Sequence, residues 1–139
     1  MAIAGINFDK ILVEKLKKIE APLKINSNIS LSDVTKEKDS EKGMALLRFD
    51  FVFGLDYAVK QAVIEIKGHV LVKDKEKEID DILSVWKKTK KISPALAERV
   101  LNVILLKCNI KALLLSQEFN LPPHIQFPTL ANKPSKYHG

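Results

Sequence analysis

The chain has 139 residues, 46% of them hydrophobic and 29% charged, with a formal net charge of +6. That is the composition of one folded, soluble domain spanning residues 1–139, large enough to bury a core. The single cysteine, Cys108, excludes an internal disulfide and any cysteine-based zinc site, and within its apolar helical stretch it reads as a small buried hydrophobe.

The first segment, residues 6–20 (INFDKILVEKLKKIE), places Phe8, Ile11, Leu12, Leu16 and Ile19 at helical spacing. Helix is the expectation there, although the KILV run also fits a strand. Its charges from Asp9 onward leave no signal-peptide pattern. Next, LKINSNISLSD alternates, with Leu23, Ile25, Ile29 and Leu31 on one face and Ser27 between them, which predicts a strand. The clearest strand is ALLRFDFVFGLDY. Ala45, Leu47, Phe49, Phe51, Phe53, Leu55 and Tyr57 form an unbroken apolar face, opposite Arg48, Asp50, Gly54 and Asp56. AVIEIKGHVLVK repeats the pattern, with Ala62, Ile64, Ile66, Gly68, Val70 and Val72 on one side and Glu65, Lys67, His69 and Lys73 on the other. Short connections between these strands favour an antiparallel sheet with one buried face.

Helices follow. KEIDDILSVWKK sets Ile79, Ile82, Leu83 and Trp86 on one face of a short amphipathic helix. The trailing KKTKK (Lys87–Lys91) could attract phosphates, but cations also suit a helix C-terminus, and a solvated face is the expected reading. Ser93 and Pro94 then signal a helix start, and the helix should run to about Phe119. Within it the most apolar run, VLNVILLKCNIKALLL, is broken by Asn102, Lys107, Asn109 and Lys111. No uninterrupted run reaches the roughly 20 residues that span a bilayer, so a cytoplasmic protein without membrane insertion is expected.

The long helix carries two apolar stripes. One contains Ala97, Leu101, Ile104, Leu105, Cys108, Ala112 and Leu115; the other contains Leu96, Val103, Leu106, Ile110, Leu113 and Leu114. A helix that merely covers a sheet needs one stripe. Two imply a sandwich, and the second layer is either another copy of the protein, giving a homo-oligomer (dimer or tetramer), or the first segment folded back over the stripe. Leaving five large aliphatics exposed would forfeit on the order of 8–15 kcal/mol of burial.

The chain ends in LPPHIQFPTL, a stiff apolar stretch with Pro122, Pro123 and Pro128. Strands, a short helix, a long helix and such a tail resemble the layout of the SecB family of protein-export chaperones. The most specific match is Pro122 and Pro128, six apart amid aliphatic and aromatic residues, and IEAP (Ile19–Pro22) is similar to the end of the family's first strand. The likeness spans residues 6–130 in layout. It implies an α+β fold: an antiparallel sheet of three to four strands, with a short amphipathic helix and a long C-terminal helix packed on one face. Residues 8–19 would then be strand, and residues 120–139 an extended strap.

The resemblance also implies function: an ATP-independent holdase binding unfolded or precursor polypeptides, without cofactors or catalytic groups. Phe51, Phe53, Leu55, Tyr57 and Trp86 are the groove candidates for clients, and ordinary core is the competing reading. Leu96, Val103, Leu106, Ile110, Leu113 and Leu114 are the candidate oligomer interface. The family's bacterial members dock the SecA motor through an acidic sheet surface. Here the outward positions mix Glu65, Lys67, His69 and Lys73, which argues against SecA docking and leaves another partner, such as a toxin–antitoxin pair, open.

Other classes have less support. There is no phosphate-binding Gly-rich loop and no GxSxG elbow, and His69, His124 and His138 share no ligand spacing with carboxylates, so no metal site is expected. Asp80 and Asp81 are adjacent on a helix, about 100° apart, and make no acid–base pair. A small basic nucleic-acid-binding or structural protein is the rival reading, on charge alone, without a recognisable motif.

Overall fold

The computed structural model of the protein describes residues 1–20, 24–58 and 60–125. In chain order the elements are β1 (Ala2–Lys15), β2 (Lys24–Lys38), β3 (Met44–Ala58), β4 (Ala62–Lys75), α1 (Glu76–Thr89) and α2 (Pro94–Glu118). The strands form one antiparallel sheet in the order β1-β4-β3-β2. The architecture is therefore α+β, with a four-stranded sheet and a long last helix.

Strict alternation places β3 and β4 at the centre. The odd residues of β3, from Ala45 to Tyr57, and the even apolar residues of β4 are buried on one face. Ile79 of α1 and the inner face of α2 complete the same core. α1 packs across β2, β3 and β4, while α2 packs over β4 and β1. Gly43, at φ 81°, turns the chain between β2 and β3, and its carbonyl accepts the Glu76 N–H at 3.0 Å, tying that turn to the start of α1. Lys36 of β2 reaches Glu76 and Asp80 at 3.0 and 2.8 Å and joins the outer edge strand to the same helix.

The helix expected over residues 6–20 is not formed: the segment is the edge strand β1. Its register explains the misreading. Ile3, Ile6, Phe8, Ile11 and Val13 lie opposite Val72, Val70, Gly68, Ile66 and Ile64, all on the core side. Register shifts between Ile3 and Gly5 and between Phe8 and Lys10 each insert a residue. The apolar spacing becomes 3, 2, 3, 2, which imitates a helical repeat although every residue points to a sheet face. In β2, Ile25, Ser27, Ile29 and Leu31 share the core-side face as expected, and a shift between Leu31 and Asp33 brings Val34 opposite Phe49. Leu23 falls outside the described residues.

The start of α2 and the end of α1 follow their local chemistry. Ser93 caps α2 by accepting the Leu96 N–H at 3.4 Å, with Pro94 in the first turn. Lys87 and Lys88 occupy the last turn of α1. Lys90 is left-handed, donates its N–H to the Trp86 carbonyl at 2.8 Å and sets its ammonium 5.4 Å from the Trp86 ring centroid. Part of the KKTKK run thus closes a helix.

Candidate interaction surface

α2 buries Leu96, Val100, Ile104, Cys108, Ala112, Leu115 and Ser116 against the sheet. Each spacing of four advances about 40° around a 3.6-residue helix, so the buried line winds slowly around α2 from Leu96 to Ser116. On the far side Leu106 is 63% exposed, and Ile110 and Leu114 are each 51% exposed. Val103 and Leu113 flank them, half-buried. The helix has two apolar faces, and only one of them is covered by the described residues of this chain. β1 cannot be the second cover, because it lies within the sheet, hydrogen-bonded to β4.

Two assignments on this helix change. Leu96 was grouped with the outer stripe but is buried, one turn before Val100, in the first turn against the core. Val100 was in neither stripe and is fully buried. The repeat of four from Leu96 through Val100 and Ile104 to Cys108 carries that information. α2 is also long and apolar enough to cross a membrane by length and composition, with a mean hydropathy of 1.4 over its most apolar window. Averaged over that window, its leucines outweigh Lys107 and Lys111. A core helix passes the same test, and the inner face of α2 is part of the core.

The candidate client residues sit elsewhere than expected. Phe51, Phe53, Leu55 and Tyr57 are all 2% exposed or less and offer no surface to a client in this conformation. Their alternation places them on the covered face of a central strand, beneath the helices and the segment after α2. Trp86 is half-buried on α1. Besides the α2 stripe, the exposed apolar side chains include Phe8 at 36% and Ile11 at 39% on the edge strand β1, Leu16 at 51% just past its end, Val85 at 52% on α1, and Met1, Phe119 and Ile125. Phe8 and Ile11 face the core side, opposite Gly68 and Ile66, and protrude where the core thins at the rim.

After α2 the chain reverses. Asn120 takes φ 55°, and the Leu121 N–H donates to the Ser116 carbonyl at 2.8 Å. Leu121 is buried, the Tyr57 hydroxyl donates to the Pro122 carbonyl at 2.7 Å, and His124 Nε2 lies 2.9 Å from Asn109 Oδ1. Residues 121–125 therefore run back along α2 as a strap; residues 126–139, with Phe127, Pro128, Leu130 and His138, fall outside the described residues. Between strap and helix lies a mostly apolar pocket of about 490 Å³, lined by Ile110, Leu113, Leu114, Leu121 and Pro123, with Ser116 and Gln117 as its polar members. It continues the exposed stripe of α2.

The other sheet face is mixed, with Leu46, Val52, Val63 and Leu71 among charged side chains. Arg48 binds Asp50 at 2.9 Å, Glu37 at 3.2 Å and Asp9 at 3.6 Å, and Asp9 also meets His69 Nδ1 at 2.8 Å. The hydrogen bonds that Arg48 donates to Asp50 and then to Glu37 hold the guanidinium pKa above its ordinary value. Asp9, Asp50 and His69 bring three potential metal-ligating atoms within 4.8 Å of one another. The Arg48 cation already bonds both carboxylates, so the group works as an ion-pair network across β1, β3 and β4. Lys73 is similarly held by Asp39 and Glu41 at 3.1 and 2.7 Å.

No protein-family description and no curated protein matches the sequence. Among solved structures the chain is similar to a SecB-like chaperone of Mycobacterium tuberculosis, solved in complex with a peptide from the HigA1 antitoxin. The identity is 12%, the TM-score 0.49, and the match covers 94% of this chain and 91% of that one.

Proposed function

We propose that the protein is a non-catalytic, ATP-independent polypeptide-binding chaperone of the cytoplasm. In this reading it assembles as a homo-oligomer through the outer stripe of α2 and holds unfolded or precursor polypeptides on apolar surface at its rim. The observation that supports it is the uncovered stripe Leu106–Ile110–Leu114, with the cavity beside it. Burying each such side chain is worth about 1.5–3 kcal/mol, and a self-complementary helix face is the simplest cover for a chain of this size.

A second apolar area supports the client-binding half. Phe8 and Ile11 on β1 and Leu16 just past its end are exposed, and among the described residues β1 has a ladder partner on one side only. A strand edge beside apolar side chains suits an unfolded segment, which can pair its main chain and bury alternate side chains. The net charge of +6 is the observation for a nucleic-acid reading, yet Lys36, Arg48 and Lys73 are each paired with two or more carboxylates.

The test is suppression of aggregation of a chemically unfolded protein on dilution, run beside a mass measurement. Suppression near stoichiometric ratios is expected, lost in Phe8→Ser/Ile11→Ser with the assembly mass unchanged. No suppression by the parent protein would remove the holdase reading. Submicromolar nucleic-acid binding at physiological salt would instead promote the lysine clusters.

A further inference from the structure

We propose that the strap, residues 121–125, is a pH-responsive cover over the Phe53–Tyr57 end of the sheet, latched by neutral His124 and released when that ring takes up a proton. The inference is independent of the polypeptide-binding reading.

The geometry of the latch carries it. The acceptor Asn109 Oδ1, 2.9 Å from Nε2, makes Nε2 the protonated nitrogen and leaves Nδ1 bare. Nδ1 is buried and has no hydrogen-bond partner among the described residues. The ring also stands edge-on to Phe53, with centroids 6.4 Å apart and planes at 71°. A proton added at Nδ1 would create a buried donor without an acceptor, on a charged ring against an aromatic core. In an open strap both nitrogens meet water, so the proton favours opening.

Among the described residues the surroundings supply no counter-charge. From β3 the titratable group at the strap is Tyr57, whose hydroxyl already donates to Pro122, and burial raises its pKa. From α2 it is Cys108, next to Asn109, whose thiol burial pushes to about 12. Both are neutral across the acid range. The β3 carboxylates Asp50 and Asp56 occupy alternate positions directed to the opposite face, and Lys107 and Lys111 lie about 160° around α2 from Asn109. The β2 residues opposite this end, Ile25, Ser27 and Ile29, do not titrate. The strap itself, Leu121–Ile125, has no charged side chain besides His124.

Burial accordingly lowers the His124 pKa from its ordinary 6.5. Because the closed state resists the proton, its stability is fully present above 6.5 and is lost as pH falls from there toward the lowered value. Over that window the open fraction grows by up to about tenfold per pH unit. Opening would uncover Phe53 and Tyr57, now 1% and 0% exposed, and free Leu121.

The experiment follows the His124 ring by NMR and an apolar-surface dye by fluorescence between pH 7.5 and 4.5, in the full-length parent, His124→Gln and Asn109→Asp. The parent should bind up to about tenfold more dye per pH unit below 6.5 with unchanged helix content. The glutamine variant, which keeps a donor but cannot titrate, should stay flat. The aspartate should stabilise the imidazolium and hold the cover closed to lower pH. An identical acid response in His124→Gln, or a folded-state ring that titrates at or above 6.5, overturns the proposal; the ring titration needs no variant to fold.

Discussion

Phe51 lies directly across the β3–β4 ladder from Gly68, and its ring takes the space that any side chain on Gly68 would need. A Cβ placed on Gly68 would come 2.7 Å from Phe51 Cζ and would also collide with the Asn7 carbonyl of β1. The aromatic residue that reads from the sequence as a possible client contact instead fills a notch in its own sheet.

That relationship predicts a stability difference between two glycines. Gly68→Ala should destabilise the fold by about 1–3 kcal/mol through overpacking against a ring and a backbone oxygen. Gly54→Ala should cost less, since its Cβ would meet only the end of the Asn28 side chain, at 3.1 Å. Urea unfolding of both variants gives the comparison, and equal losses would contradict the packing described.

Cys108 should be inert in the native state. Burial pushes its thiol pKa to about 12, so the thiolate needed for alkylation is scarce at pH 8. Iodoacetamide at that pH should label the unfolded protein and leave the folded one unmodified, as followed by intact mass. Rapid native labelling would mean that the inner face of α2 opens.

Tyr57→Phe removes the hydroxyl that donates to the Pro122 carbonyl at 2.7 Å and changes nothing else in the strand. The expected loss is about 0.5–1.5 kcal/mol, typical of one neutral hydrogen bond. Amide exchange at Leu121, whose N–H bonds the Ser116 carbonyl, should accelerate more than exchange within β4. A uniform change would place the strap outside any local opening.

The sheet's centre was legible because β3 and β4 keep period two over their whole length, each with one fully apolar face. β1 was not, because inserted residues after Ile3 and Phe8 convert a two-residue repeat into one that passes for helical. The two-faced character of α2 was also legible, since Leu106, Ile110 and Leu114 repeat at helical spacing opposite Ile104, Cys108 and Ala112. Leu96 misled because a residue in the first helical turn can meet the core from an angle that the helical wheel assigns to the outer face. Exposure of Phe8 and Ile11 depends on where the helices stop covering the sheet, which a one-dimensional pattern does not encode. The apolar tail raised the expectation of a strap, but the pairing of His124 with Asn109, 15 residues back, arises only when the chain reverses at Asn120.

In the proposed assembly another copy of the chain covers the outer stripe of α2. A light-scattering mass of the parent beside Leu106→Lys/Ile110→Asp tests it most directly. Both positions are at least half exposed in the single chain, so the substitutions spare the core and act on an interface, where each buried charge costs several kcal/mol unless paired. The parent mass should be at least twice 15.7 kDa, and the variant should stay folded by circular dichroism and run at 15.7 kDa. A parent that is itself a stable 15.7 kDa monomer, or a variant that keeps the full assembly mass, would contradict that assembly.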